Sequence, residues 1–145
     1  MSGGYTKAEL ERALTDALAP LTLRGGGYVR TVEPYRGELA AREIPEKALQ
    51  PPAVFVGFVS SSYGPGPQLY ATESASFNVV VVARAGGEPD VYKLLADTRD
   101  LLCGGAIAPG VGPLKLVSET TLMATSELTA VSALYTLTQR VRLKT

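Results

Sequence analysis

The chain has 145 residues with 14 basic and 14 acidic side chains, a single cysteine and no histidine. That length fits one domain able to bury roughly two-thirds of its unfolded surface without a metal or disulfide staple, and 46% hydrophobic residues exclude global disorder. The balanced charge disfavours general nucleic-acid binding while leaving room for a local basic stripe. Lone Cys103 excludes an internal disulfide and fits a reducing compartment. Charged residues make up only 19%, below the usual quarter, a shortfall that points to surface covered by partners.

The first element is a helix over residues 6–19. Thr6 and Glu9 form a capping box, Leu10, Ala13, Leu14, Ala17 and Leu18 share one face, and Ala19-Pro20 ends the run. The stretch Met1 to Gly4 reads as a disordered start, with no secretory signal behind it and no apolar run of membrane-spanning length. Arg24-Gly25-Gly26-Gly27 reads as a flexible joint. Tyr28–Val32 follows as a short strand closed by Pro34, then Glu38–Gln50 as a short helix or irregular arm broken by Pro45.

Pro51-Pro52 opens a new unit. Ala53–Val59 is apolar on both alternating faces, which predicts a strand buried on both sides. Ser60–Pro67 reads as a long, rigid loop leading to a strand over residues 72–84. In that strand Phe77, Val79 and Val81 face one way and Val80 and Val82 the other. Pro89 and Asp90 suit a helix start. Val91, Leu94, Leu95, Thr98, Leu101 and Leu102 then make one apolar stripe, Lys93, Asp97 and Asp100 point outward, and Gly104-Gly105 stops the helix. After a Gly/Pro loop, Leu114–Met123 reads as a strand bent near Ser118-Glu119. In the last strand, Leu128–Leu143, Val131, Ala133, Tyr135, Leu137, Val141 and Leu143 alternate with Ser132, Thr136, Thr138, Arg140 and Arg142. The fold class is α+β: a mixed, mostly antiparallel twisted sheet of four to five strands with two main helices packed on it, forming one domain over residues 1–145.

Candidate chemistry is sparse. Without histidine there is no Ser-His or Cys-His pair and no principal zinc ligand. One cysteine builds neither a thiolate zinc site nor a two-cysteine redox motif, and Cys103, at the end of an apolar helix face, reads as a small core residue. Asp90, Asp97 and Asp100 share a helix, on its solvated side, where a catalytic pair is weak. Gly25-Gly26-Gly27 precedes a strand and lacks a phosphate-loop lysine, while Gly104-Gly105 and Gly110-Val111-Gly112 read as helix stop and turn. No catalytic, cofactor-binding or metal residues are assigned, and the chain is read as a non-enzyme. Four residues remain as candidate partner contacts. Tyr63 and Tyr70 flank the Gly/Pro loop and either anchor a partner or pack back on the sheet. Arg140 and Arg142 either meet acidic groups on a neighbour or form a solvated face.

The order of segments resembles a known family. The Pro-flanked strand Ala53–Val59, the strand Phe77–Ala83, the helix Val91–Leu102 with its Val-Tyr-x-Leu-Leu opening, Gly104, and the Gly112-Pro113-Leu114 turn together resemble the tail-terminator, or tail-completion, proteins of Mu-like prophages and contractile-tailed phages. The resemblance covers roughly residues 25–143. It implies a hexameric ring on the head-proximal end of a finished tail tube, halting its polymerisation and offering a docking face to the head. The implied partners are further copies of the chain, tail tube and sheath proteins and a head-completion protein. DNA would pass through the ring, and no membrane or cofactor is involved. The implied location is the virion tail, with host cytoplasm during assembly. A head–tail connector or tail-tube component, or a small-ligand-binding regulatory domain, remains the alternative.

Overall fold

The computed structural model describes residues 4–34, 51–66 and 69–142. The segment read as a helix or arm over 38–50, residues 1–3 and Leu143 lie outside that range. Elements run α1 (Lys7–Ala17), a 3-10 turn (Ala19–Leu21), β1 (Thr31–Pro34), β2 (Ala53–Pro65), β3 (Tyr70–Arg84), α2 (Val91–Cys103), β4 (Lys115–Ala124) and β5 (Leu128–Arg142). The strands form one sheet in the order β1-β2-β3-β5-β4. Only β1 and β2 are parallel; every other pair is antiparallel. The expected α+β class and mixed sheet are therefore what the chain adopts.

Local chemistry explains both helices. The Thr6 hydroxyl accepts from the Glu9 backbone N–H at 3.1 Å, and the Glu9 carboxylate accepts from the Thr6 N–H at 2.8 Å, so α1 opens on a complete capping box. Asp90 caps α2 by accepting from the Lys93 N–H at 2.8 Å, with Pro89 just outside the helix rather than in its first turn. The stripe Val91, Leu94, Leu95, Thr98 and Leu102 is buried. Both helices pack on one face of the sheet. There Leu10, Leu14 and Leu18 from α1 and Leu94 and Leu102 from α2 meet Val54, Val56, Phe77, Val79, Val81, Ala133, Tyr135 and Leu137. Ala53, Phe55, Val80, Val82 and Ala130 form a second, smaller cluster on the opposite face. The expected two-faced alternation of β3 is thus realised residue by residue.

Three expectations are corrected. Ser60–Pro65 is not a loop: β2 continues through it, paired with β3 from Ser60↔Ser76 to Pro65↔Ala71. Ser, Gly and Pro favour turns locally, but a fully matched partner strand overrides that preference. The first strand is Thr31–Pro34 rather than Tyr28–Val32, with Pro34 inside it; Val29 instead makes an isolated bridge to Thr22. Nor is the glycine triplet a flexible joint. Gly25 and Gly27 both donate to the Thr22 carbonyl, at 3.0 and 2.8 Å, and a Cβ on either would collide with the backbone of residues 19–21. Glycine is needed there for close approach.

The packing of α2 on the sheet generates a stability prediction. Leu94 is fully buried in the main cluster, so Leu94→Ala should remove about 2–5 kcal/mol from the unfolding free energy, read as a lower midpoint in urea denaturation with an unchanged slope.

Candidate interaction surfaces of the long hairpin

β2 and β3 pair over 12 matched positions, from Ala53↔Val82 to Pro65↔Ala71. β3 and β5 pair over their whole lengths, Tyr70↔Arg142 through Arg84↔Leu128. Along this array the apolar core occupies one half. In the other half, residues 60–65, 70–76 and 136–142, the strands carry Ser, Thr, Tyr, Gln and Arg. This distal half is the candidate surface, and its two faces differ.

On the helix side the distal half is organised around a buried carboxylate. Glu73 is only 1% exposed. Its Oε2 accepts from Ser61 Oγ at 2.6 Å and from the Tyr63 hydroxyl at 3.1 Å; its Oε1 accepts from Gln139 Nε2 at 2.8 Å. Lys7, in the first turn of α1, makes the ion pair and also donates to the Tyr63 hydroxyl at 3.3 Å. Burial alone would raise the Glu73 pKa; the donors from Lys7, Ser61 and Gln139 outweigh it and hold the carboxyl below its usual range. Lys7 is affected in the complementary way: burial opposes its charge, but Glu73 and Tyr63 raise its pKa. Gln139 completes the arrangement by clasping the N-terminal segment, donating to the Tyr5 carbonyl at 3.0 Å and accepting from the Tyr5 N–H at 2.8 Å. Gly4 fits beside it at φ +102°, where a Cβ would lie 2.9 Å from the Arg140 carbonyl oxygen. Lys7 also lies 5.7 Å from the Phe58 ring centre and 5.8 Å from that of Tyr63.

The opposite, open face of the distal half holds Tyr70, Arg140 and Arg142. Tyr70 stands directly across from Arg142, and the Arg140 guanidinium lies over the Tyr70 ring at 5.7 Å. Of the four residues singled out from the sequence, three therefore converge. Tyr63 does not join them: it pairs with Glu73 on the helix side, where it is 58% exposed and hydrogen-bonded. Glu73, Lys7 and Gln139 were not singled out. The signal for Glu73 lay in Ala71-Thr72-Glu73-Ser74-Ala75-Ser76-Phe77, where alternation puts the carboxylate on the same side as Ala75 and Phe77.

Exposed aliphatics mark a further surface feature. The pairing skips one residue between Phe58 and Ser60 in β2, one between Leu116 and Ser118 in β4, and one between Thr121 and Met123 in β4. The skipped residues are Val59, Val117 and Leu122, which are 46%, 57% and 48% exposed. Each bulge turns an aliphatic side chain out to solvent. Phe58, next to Val59, is 41% exposed, and Leu69, 48% exposed, stands apart from them just before Tyr70 at the distal end of the hairpin.

The other candidate groups have structural partners. Asp97 accepts from the Tyr28 hydroxyl and from Lys93 Nζ at 3.0 Å, so it is tied down rather than simply pointing outward. The Tyr28 hydrogen bond lowers its pKa despite some burial. Asp100 is exposed and 3.7 Å from Arg99. Burial pushes the Cys103 thiol up and the Tyr135 phenol up to about 12. Among the described residues no group of three His, Cys, Asp or Glu side chains is placed to hold a metal, and no helix is long and apolar enough to cross a membrane. A cleft of about 410 Å³ lies beside β1, lined by Leu23, Arg24, Val29, Arg30, Val32 and Glu33 among others, remote from the distal half.

A family model described as Bacteriophage Mu, Gp37 matches residues 7–141. Among solved structures, the fold is similar to a chain in the virion of a native gene transfer agent particle. The TM-score is 0.60 at 14% identity, over 94% of this chain and 99% of that one. At that identity the likeness is one of fold. No curated protein matches in sequence.

The Glu73 cluster sets a pH dependence. A carboxyl held below its unfolded pKa, about 4.3 for Glu, contributes stability that is present above that value and lost as pH falls through the folded pKa. The Glu73→Gln variant should lose about 1–3 kcal/mol at neutral pH, and its stability should fall less steeply than that of the parent on acidification below pH ~4.3. Urea midpoints measured across the acid range check both.

Proposed function

The chain belongs to the Bacteriophage Mu Gp37 family, and from that premise we propose that it is a structural virion protein, a tail terminator that closes the head-proximal end of a tail tube as a ring. The observation that carries the reading is the family match over residues 7–141. The fold shared with a chain of a gene transfer agent virion agrees with it. So does the surface. A closed ring of about six copies needs two unlike patches on each subunit that mate head to tail. Exposed apolar residues at and beside the bulges supply two such patches: Phe58 and Val59 on the hairpin, and Val117 and Leu122 on the edge strand β4. Bulges and charges such as Lys115 and Glu119 blunt an edge against indiscriminate strand pairing, while the two aliphatics leave it adhesive to a specific neighbour. The tube, sheath and head-completion proteins are the proposed further partners.

The reading predicts assembly that stops. Native mass spectrometry of the purified chain, alone and with tail tubes, should give one closed species of about six copies, and electron microscopy should find it at one tube end. Val117→Asp combined with Leu122→Asp should abolish the ring while leaving the circular dichroism spectrum and melting transition intact. Unlimited polymers would instead identify a tube subunit, and a strict monomer even with tubes present would overturn the proposal.

A further inference from the structure

Electrostatic segregation on the sheet carries an inference beyond the terminator reading, and independent of it. On the open face of the distal half, the pairing register fixes which side chains point outward. From β4 comes Lys115, opposite Thr136; from β5 come Thr138, Arg140 and Arg142; from β3 come Tyr70 and Thr72, the latter opposite Arg140. Lys115, Thr72, Thr138, Arg140 and Arg142 are all exposed. The remaining outward positions of this half-face are serine, threonine, asparagine, leucine or glycine. Among the described residues none is a carboxylate: Glu73 and Glu119 are paired with Gln139 and Ala133 and so point to the helix side. Glu88, Asp90 and Glu127 sit in loops at the other end of the strands, where the Ala85 N–H donates to the Glu127 carbonyl at 2.9 Å. Among the described residues, three cations and a field of hydroxyls thus share one surface with no acid among them, in a chain of zero net charge.

We propose that this half-face binds the sugar–phosphate backbone of double-stranded DNA without reading its sequence. Arginine, lysine and hydroxyl donors are the groups that contact phosphates, and Arg140 and Arg142 lie two residues apart on one strand face, about 6.8 Å along the chain. The face lacks what other partners require. A protein partner would be anchored by a buried aromatic or aliphatic cluster, whereas here the nearby exposed aliphatics are single side chains, Leu69 before Tyr70 and Val117 beyond Lys115. A single strand would need aromatic platforms for its bases, and the one aromatic here, Tyr70, already lies beneath Arg140. The bound partner is therefore recognised by charge and hydroxyl contacts alone.

The test is fluorescence anisotropy with a labelled duplex of random sequence, titrated with the full chain over a series of salt concentrations. Neutralising three phosphates gives a slope of log K against log salt of about −2.7, so a fourfold rise in salt weakens binding about 40-fold. Arg140→Ala with Arg142→Ala should bring the slope to about −0.9 and that weakening to about 3.5-fold, while Arg12→Ala on α1 leaves both unchanged. Thermal melting establishes that each variant folds. Absence of salt-dependent binding, an unchanged slope in the double variant, or stronger capture of polyglutamate than of duplex would overturn the proposal. Sedimentation of the same samples reports ring formation separately, so failure of the terminator reading and failure of this one are distinguishable.

Discussion

The rest of the structure depends on one constraint: the uninterrupted register of β3 against β5, 15 matched residues from Tyr70↔Arg142 to Arg84↔Leu128. A pairing that long, with side chains alternating by two, commits every residue on both strands to a face at once. Half of its length is apolar on both faces, through Phe77, Val79, Val80, Val81 and Val82 with Ala130, Val131 and Ala133, and this half accepts the helices. On the remaining length the open face carries no apolar cluster and is available for contact. Core and contact surface are therefore two stretches of the same pair of strands.

The helix side of the outer stretch raises a physical question, because a carboxylate at 1% exposure is costly to bury unless its charge and lone pairs are met. Ser61, Tyr63, Gln139 and Lys7 meet them, and they come from β2, β5 and α1. Apolar side chains could also fill that space, but they would not specify which residue of β2 lies across from which residue of β3. Hydrogen bonds from three separate elements to one carboxylate do specify it. Because Gln139 also holds both backbone groups of Tyr5, the N-terminal segment, α1 and the hairpin are fastened at one point. The distal strands can then present their open face in a fixed shape, with only Ala75 and Leu137 of the apolar core reaching beneath them.

Much of this was legible in the sequence. The capping box at Thr6 and Glu9, the stripe from Val91 to Leu102 and the two-faced alternation of Phe77 to Val82 are local patterns with one physical solution each. What escaped was decided by pairing. Ser60–Pro65 has the composition of a turn, and only its matched partner in β3 makes it a strand. The candidate residues were separated by a subtler cause. Counting by two from Phe55 puts Tyr63 on the open face, with Tyr70 and the arginines. The bulge at Val59 inserts one residue, reverses the parity of everything beyond it, and sends Tyr63 to the helix side. No local feature of Val59 announces that bulge. The glycine triplet was misjudged for a related reason: whether glycine marks freedom or close approach depends on the backbone opposite, here residues 19–21.

The bulges also bear on how a weakly charged chain stays folded as a unit yet adheres to others. A regular strand pointing three more aliphatics outward would need a continuous apolar face, which invites indiscriminate association. Placing Val59, Val117 and Leu122 at irregularities keeps the exposed apolar surface in small separate pieces, while their neighbours Ser60, Ser118 and Thr121 keep the surrounding surface hydrated. The cations Lys115, Arg140 and Arg142 share one half-face with no carboxylate among the described residues, whereas the opposite strand ends mix signs, Arg84 with Glu88, Asp90 and Glu127. A cationic half-face and apolar patches set apart on different strands make the subunit's faces unlike, and unlike faces are what head-to-tail association requires.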